Sequence, residues 1–167
     1  MEGLGETLLA FKGVAVGAWL VLLFTAERLK PAVPFPHAPA KNWIRPARNL
    51  SFLVISTVVS LAIVVPVSRW AAELELGLRP GWASGAPGLA FDLLLLDFLI
   101  YWWHRANHQL PFLWRFHEVH HLDRFLDTTS ALRFHFGEVI LSALARAGVI
   151  ALFAMPLPSI LVFEALV

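Results

Sequence analysis

Long apolar segments alternate with short polar segments along most of the chain. Four apolar runs stand out, at about 7–26, 50–67, 88–103 and 137–153. Their lengths approach the roughly 20 residues that a helix needs to cross a bilayer, and their apolar positions form runs instead of stripes along one face. The third run continues in a helical pattern through His108, and Pro111 is predicted to end or bend that helix. The pattern predicts an all-α integral membrane bundle with about four transmembrane helices.

The segments between these runs are predicted to be connections. Residues 27–49 are polar and rich in proline, and Pro66 is placed near the end of the second run. Residues 69–87 mix charges with tryptophan and end in glycine and proline, as is typical of an interfacial segment followed by a turn. The pair Pro156 and Pro158 predicts a further break.

Basic residues concentrate in two of the connections. The first carries Arg28, Lys30, Lys41, Arg45 and Arg48, and the histidine-rich segment carries Arg105, Arg115, Arg124 and Arg133. The connection at 69–87 has only two arginines, offset by two glutamates. The positive-inside rule therefore places the histidine-rich helical segment on the cytoplasmic side, with the N-terminus outside. Alanine, leucine and arginine usage favours a multi-pass protein of a bacterial inner membrane.

Composition agrees with lipid as the solvent. Hydrophobic residues make up 58% of the 167 residues and charged residues 15%, whereas about a quarter of a soluble domain is charged. The net charge is +1 and no basic patch with interleaved aromatics is present, which excludes nucleic acid as a partner. The chain has no cysteine, so any metal must be held by histidine and carboxylate.

Histidines provide the candidate chemistry. Five of the seven lie between 104 and 121, as His104 and His108 and then His117, His120 and His121. Residues three or four apart share a helix face, so each group can direct its imidazoles at a common point. Five such rings packed together would cost several kcal/mol unless a cation organised them. The spacing predicts a metal site of iron, copper or zinc, whereas His37, alone among prolines, is predicted to be structural.

A polar stripe on the third helix leads into this site. Asp97, Tyr101, His104 and His108 follow one another at intervals of four, three and four. Asp97 and Tyr101 are predicted to form an outer shell that orients a ligand histidine, although a hydrogen bond between helices would explain them as well. Asp92 faces another direction and is predicted to be structural.

The start of the fourth run offers a further pair. His135 and Glu138 are three residues apart and could add an imidazole and a carboxylate to the site. Glu138 is equally well explained as a carboxylate near a helix N-terminus, where the helix dipole favours it. For Arg133 we expect the lipid headgroups rather than a carboxylate partner.

The motif separates the candidate functions. Arg105 stands where the zinc-protease motif has its general base, so that hydrolytic mechanism lacks its carboxylate. A membrane transporter would place polar groups at the bilayer midplane, whereas these histidines lie beyond the end of a span. A redox metal that activates dioxygen is favoured, with a zinc- or copper-handling membrane protein as the alternative. A haem carrier would need histidines on facing spans.

Three motifs together resemble the N-terminal part of the fatty acid hydroxylase and sterol desaturase superfamily. They are Asp97-x3-Tyr101-Trp102-x-His104-Arg105-x2-His108, Trp114-Arg115-x-His117-x2-His120-His121, and Arg133-x-His135-x2-Glu138, and the resemblance covers about 90–140. It implies an integral membrane, non-haem di-iron oxygenase that uses dioxygen to hydroxylate or desaturate a sterol, fatty acyl or related lipid. Electrons would come from a separate reductase or cytochrome.

The resemblance also assigns residues. It implies that His104, His108, His117, His120 and His121 are catalytic iron ligands, and it extends to His135 with less agreement, because Phe136 stands where the family usually has proline. The family's later histidine-rich segments have no counterpart after His135, and the apolar residues 159–167 are too few to cross a bilayer. We therefore expect a single membrane domain over 1–167 with a histidine core at 90–140, truncated at its C-terminus and lacking ligands for the second iron.

Overall fold

The structure is a computed structural model that describes residues 2–33, 43–74, 76–123 and 125–166, without the side chains of 2–10 and 12. His37, Lys41 and Arg124 lie outside these residues. The described residues form seven α-helices and no strand: α1 (Glu2–Leu29), α2 (Ile44–Val59), α3 (Val65–Glu73), α4 (Gly85–Gln109), α5 (Pro111–His121), α6 (Phe136–Leu152) and α7 (Leu157–Leu166). The all-α prediction is confirmed.

Two of the described helical segments are long and apolar enough to cross a membrane. One is Ile44–Glu73, in which α2 and α3 are joined by a π-helical turn at Ser60–Val64, and the other is α4. Only 6% and 17% of their most apolar windows are buried, unlike the core helix of a soluble protein. The first predicted run lies in α1, and the fourth forms α6, which has 17 residues. The described residues thus support two spans, fewer than the four predicted.

The second predicted run does not end near Pro66. The helix continues to Glu73, and residues 74 and 76–84 lie in the loop that follows, so the start of the predicted interfacial segment is helical. Pro66 occupies the first turn of α3, directly after the π-helical turn. A proline at such a position removes no hydrogen bond that the helix needs, because the wider turn has already shifted the pairing of the backbone.

The buried core joins α3, α4, α6 and α7. It consists of Ala71, Leu96, Ala147, Ile150, Ala151, Met155, Ile160 and Phe163. Small residues in this set let α3 and α6 approach closely. The short helix α7 covers them after a break at 153–156, slightly earlier than the break that Pro156 and Pro158 predict. The bundle therefore holds α4 and α6, the two helices that lead into the histidines, in a fixed relation.

An ion pair secures the loop before α4. Asp92 is fully buried and accepts from Arg79 Nη1 at 2.8 Å and from Nη2 at 3.1 Å. Arg79 also donates to the carbonyl oxygen of Ala83 at 2.7 Å. A bidentate pair of this kind fixes direction as well as distance. Asp92 therefore has the structural role that the sequence predicts.

A sharp corner separates α4 from α5. Leu110 is extended, with φ −97° and ψ 116°, and Pro111 begins α5. The residue before a proline avoids the helical region, so the helix is interrupted for one residue and then restarts. Pro111 therefore ends one helix and begins the next, and the corner turns the face of α5 back onto the end of α4.

Candidate metal centre

The corner brings two groups of histidines together. The ring centroids of His104, His108 and His117 are 4.8 Å apart in every pairing. His121 lies 4.9 Å from both His108 and His117. We call His104, His108, His117, His120 and His121 the histidine cluster. The last two turns of α4 supply the first two, and the second half of α5 supplies the others.

The spacing of the nitrogens fits a metal ion. One ring nitrogen from each of His104, His108 and His117 lies within 4.8 Å of the other two. Nitrogens that share an ion at about 2.1 Å are at most about 4.2 Å apart. A pair of nitrogens at the 4.8 Å limit would therefore need to approach by at least roughly half an ångström to bind one ion. The Nε2 atoms of His117 and His121 are 3.2 Å apart, which already suits two ligands of one ion.

Glu138 orients His117 from the opposite side. Its Oε1 lies 2.7 Å from His117 Nδ1, and His117 and Glu138 are 1% and 7% exposed. An ionised carboxylate only accepts, so the hydrogen of His117 is assigned to Nδ1 and the lone pair of Nε2 faces the cluster. Asn107 also donates to Glu138 Oε1, at 3.4 Å. A carboxylate that holds the far nitrogen of an imidazole is the usual support of a metal-binding histidine.

Burial and crowding keep the α5 histidines neutral. Burial, followed by the charges of His121 and His108, lowers the pKa of His117 to about 4. Burial and the neighbouring histidines also lower the pKa of His120 and of His121. A neutral imidazole has a free lone pair, so these rings are ready to bind a metal at neutral pH without first losing a proton.

His120 lies at the edge of the cluster. Its ring stacks on Phe134 with centroids 4.8 Å apart, and it is 5.8 Å from His117. Within the part of the chain that the structure describes, His120 Nδ1 and Glu138 Oε2 are buried without a hydrogen-bond partner. Buried polar atoms of this kind require an explanation, and a metal ion is one that suits both. Trp114 stacks on His121 at 5.6 Å and covers another side of the cluster.

The structure does not bring His135 into the cluster. It is the N-cap of α6, and its Nδ1 accepts from the backbone N–H of Gly137 at 3.0 Å. Its ring lies against Phe136 and Phe116, with centroids 4.3 and 5.3 Å away. These contacts explain His135 without a metal.

The outer residues of the predicted stripe face outward. Asp97 and Tyr101 are exposed and line an open cavity together with His104 and Arg105. The hydroxyl of Tyr101 accepts from Arg105 at 3.3 Å. The second-shell contact that is observed therefore comes from Glu138 on α6, whereas that of Asp97 and Tyr101 stays a prediction. Glu118 is exposed, in agreement with the prediction that it points elsewhere.

The headgroup prediction for Arg133 is wrong. Its side chain is 8% exposed, its Nη1 is 3.9 Å from Asp123 Oδ2, and its guanidinium carbon lies 5.6 Å from the ring centre of Phe52. Asp123 is held against α2, so Arg133 finds a carboxylate inside the protein before it can reach a headgroup. The sequence contained a weak signal. Arg133 lies two residues before the N-cap of α6, so its position depends on the loop that precedes the helix.

Sequence reasoning missed a polar network beside the cluster. We call Arg45, Asn49, Asp123, Asp127 and Thr129 the Arg45 network. Arg45 and Asn49 are four residues apart on α2, and the other members belong to the loop that follows His121. The spacing of Arg45 and Asn49 along an otherwise apolar helix was the available signal.

Fold and site together define a helical protein with a histidine-rich candidate metal centre beside candidate membrane spans. The family model described as fatty acid hydroxylase matches residues 89–167. The chain is 50% identical over 89 residues to Fatty acid hydroxylase vlmA of Lecanicillium sp., which covers 51% of this chain and 24% of that protein. No solved structure matches the chain. Residues 89–167, which contain the histidine cluster and Glu138, belong to the fatty acid hydroxylase superfamily.

The chain spans about a quarter of the length of that relative. The matched residues begin just before the apolar part of α4 and include α5 and α6. The shared region is therefore the one that contains the candidate metal centre, and α1, α2 and α3 lie before the family match.

Proposed function

We propose that this chain provides part of the catalytic centre of a membrane-bound, non-haem di-iron oxygenase that hydroxylates or desaturates a C–H bond of a lipid. The observation that supports this most is the convergence of the nitrogens of His104, His108 and His117 within 4.8 Å. The membership of residues 89–167 in the superfamily favours an oxidoreductase over a metal-handling protein. The absence of cysteine leaves imidazole and carboxylate as the donors for such a centre.

The donors divide into two groups. His104, His108, His117 and His121 would hold one ion, because each ring centroid lies within 4.9 Å of at least two of the others. His120 Nδ1 and Glu138 Oε2, which are buried without a hydrogen-bond partner among the described residues, would contribute to a second ion. When bound, iron would supply the dioxygen chemistry that an unactivated C–H bond requires. We assign His135 to the N-cap of α6 and not to the iron site.

The remaining residues prepare and enclose the centre. Glu138 keeps the His117 lone pair directed into the cluster, and Asn107 holds the carboxylate in place. Trp114 packs against the rings of His121 and His108 and supports them from one side.

Placement in the membrane would explain how a lipid reaches the site. The cluster begins at His104, within the last two turns of α4, near the end of that candidate span. We infer a multi-pass bacterial inner-membrane protein with about four spans and the histidines at the cytoplasmic surface, where the flanking arginines favour them. The lipid would enter from the bilayer, and electrons would arrive from a cytoplasmic reductase or cytochrome.

Metal content tests this proposal first. We would purify the 167-residue chain and any longer reading of the same frame in detergent, and combine elemental analysis with Mössbauer spectroscopy. We expect iron in both forms and two coupled irons in the longer form. Both forms would then be incubated with membrane lipids, an electron donor and isotopically labelled dioxygen, with His117→Ala as the inactive control. Label should appear in a lipid or, for desaturation, in water alongside a new double bond.

Other results would contradict the proposal. Stoichiometric zinc or copper with no iron in either form would support a metal-handling membrane protein. Iron that is retained at the same level after His104, His108 and His117 are each replaced by alanine would show that the histidine cluster is not the site.

A further inference from the structure

The segment that follows His121 is held by side chains from distant parts of the chain. Arg45 of α2 contacts it at the largest number of points, and Glu27 and Arg28 of α1 contact Thr128 and Asp127. Helix α5 ends at His121, so His120 and His121 occupy its last turn. The last turn of a helix lacks part of its backbone hydrogen bonding and frays unless other contacts secure it. Two residues further on, Asp123 enters the Arg45 network, which connects this turn to α2.

Arg45 uses all three of its nitrogens on this segment. Its Nε donates to Asp123 Oδ1 at 2.8 Å. Its Nη1 donates to Asp127 Oδ2 at 2.7 Å, and its Nη2 donates to Asp127 Oδ1 at 3.1 Å and to the carbonyl oxygen of Phe125. One planar group therefore fixes three points over five residues. A lysine ammonium could meet one of these acceptors but could not reproduce the fork.

The carboxylates are held from other sides as well. Asn49 donates to Asp123 Oδ2 at 2.9 Å and to the hydroxyl of Thr129 at 3.0 Å. That hydroxyl donates in turn to Asp127 Oδ1 at 2.6 Å. The side chains of Asp123 and Asp127 are 6% and 2% exposed. Buried carboxylates that are paired and hydrogen-bonded in this way have one favourable arrangement. The network therefore fixes the position of the loop that carries Asp123 and Asp127.

The connection reaches the metal centre over a short path. Asp123 lies two residues after His121, and His121 Nε2 is 3.2 Å from His117 Nε2. A shift in the loop would therefore move His121 relative to His108 and His117, which α4 and Glu138 hold independently. Metal centres lose affinity when their ligands are displaced by a fraction of an ångström.

We propose that Arg45 is a positioning residue of the metal centre, which sets the place of His120 and His121 through Asp123 and Asp127. This inference rests on the proposed function. Arg45 touches none of the histidines in the contacts of the described residues, so its effect passes through the loop. It belongs to α2, before the matched family region, which makes α2 part of the working centre.

Cobalt binding to the 167-residue chain in detergent tests the inference. Co²⁺ would be titrated into the wild type and Arg45→Lys, and the dissociation constant and the visible absorption bands of the bound ion would be recorded. We expect Arg45→Lys to weaken Co²⁺ binding by about tenfold or more and to change the bands, because they report ligand number and geometry. Amide hydrogen exchange of residues 117–123 should also become faster in the variant.

Two control variants separate position from general stability. Arg48→Lys changes an exposed arginine three residues further along α2 and should leave every readout unchanged. Arg79→Lys weakens the other bidentate pair, with Asp92, and should lower the unfolding temperature without changing the cobalt bands. If Arg45→Lys does not fold, Asn49→Ala removes one donor to Asp123 and should weaken Co²⁺ binding in the same direction.

The outcomes are distinct. Wild-type binding together with an Arg45→Lys variant of unchanged affinity and bands would overturn this inference and leave the proposed function standing. The same would follow if Arg45→Lys behaved like Arg79→Lys, with lower stability alone. A wild type that binds neither iron nor Co²⁺ would overturn both, and the exchange data would then show only whether Arg45 orders the loop.

Discussion

His117 Nδ1 and Glu138 Oε1 lie 2.7 Å apart, and this contact joins α5 to α6 at the centre of the histidine cluster. Glu138 is 7% exposed and its only close imidazole partner among the described hydrogen bonds is His117. The carboxylate therefore selects the tautomer in which Nε2 of His117 can bind a metal. The sequence explained Glu138 equally well as a site residue and as a partner of the helix dipole, and the structure gives it a specific partner, His117.

Glu138→Gln should weaken metal binding by about 10- to 100-fold, because a neutral amide holds the imidazole less firmly than a carboxylate and can present its NH₂ group. The dissociation constant for Fe²⁺ or Co²⁺ would measure this. Glu118→Gln, on the exposed face of α5, is the matched control and should not change it. Equal affinity of Glu138→Gln and the wild type would remove Glu138 from the support of the site.

His135 can be tested as a helix cap. His135→Ala should lower the free energy of unfolding by about 0.5–2 kcal/mol, whereas His135→Asn should retain most of the stability, because asparagine also accepts from a backbone N–H at an N-cap. Neither variant should alter metal content. Loss of metal in His135→Asn with stability preserved would restore His135 as a ligand, as the family resemblance implies.

Gly137 permits the close approach of α5 and α6. A Cβ atom at this position would lie 2.7 Å from the ring of Phe116, whereas one at Gly148 would meet nothing within 4 Å. Gly137→Ala should therefore destabilise the protein by about 1–3 kcal/mol through overpacking. Gly148→Ala, further along the same helix, should be neutral or stabilising by up to about 1 kcal/mol. Unfolding by denaturant measures both, and equal effects would contradict the packing argument.

Asp127 should make stability depend on pH in acid. Burial opposes its ionisation, but hydrogen bonds from Arg45 and Thr129 outweigh burial and lower its pKa. The unfolded state, with a pKa of about 3.9, takes up the proton first as the pH falls. The stabilisation is therefore complete above that value and is lost as the pH falls through it towards the lower folded pKa.

Asp127→Asn tests this linkage. The variant should be less stable than the wild type at about pH 6, and the difference should narrow at about pH 3, where Asp127 of the unfolded state is largely protonated. Unfolding curves at the two pH values give the comparison. A difference of constant size would show that the carboxylate charge is not responsible.

The order of the helices and the identity of the candidate ligands could be predicted from local information. Pro111 interrupts a helix wherever it is placed, so the boundary between α4 and α5 followed from the sequence. The intervals between His104 and His108 and between His117 and His121 place each pair on one helix face. Pro66 was misjudged because its effect depends on the π-helical turn before it, which no local pattern indicated.

Partners from different helices were decided by tertiary packing. Asn107, Asp123 and Asp127 gave no periodic signal, and their roles depend on which distant residue the bundle brings within hydrogen-bond reach. Arg133 was expected at the headgroups for the same reason, since its buried surroundings come from α2 and the loop. The face of a helix on which a side chain lies is set by the local sequence. Which residue 70 or more positions away becomes its partner is decided by the fold.

By itself, the sequence determined that this protein is helical, that its apolar runs suit a membrane, and that two groups of imidazoles lie on helix faces. Those properties arise from hydrophobicity and from the geometry of a single helix. The tertiary structure alone decided that Glu138 orients His117, that His135 caps α6, and that Arg45 holds the loop after His121. Each of these depends on the angle and distance between helices, which close packing of the core sets and no single segment contains.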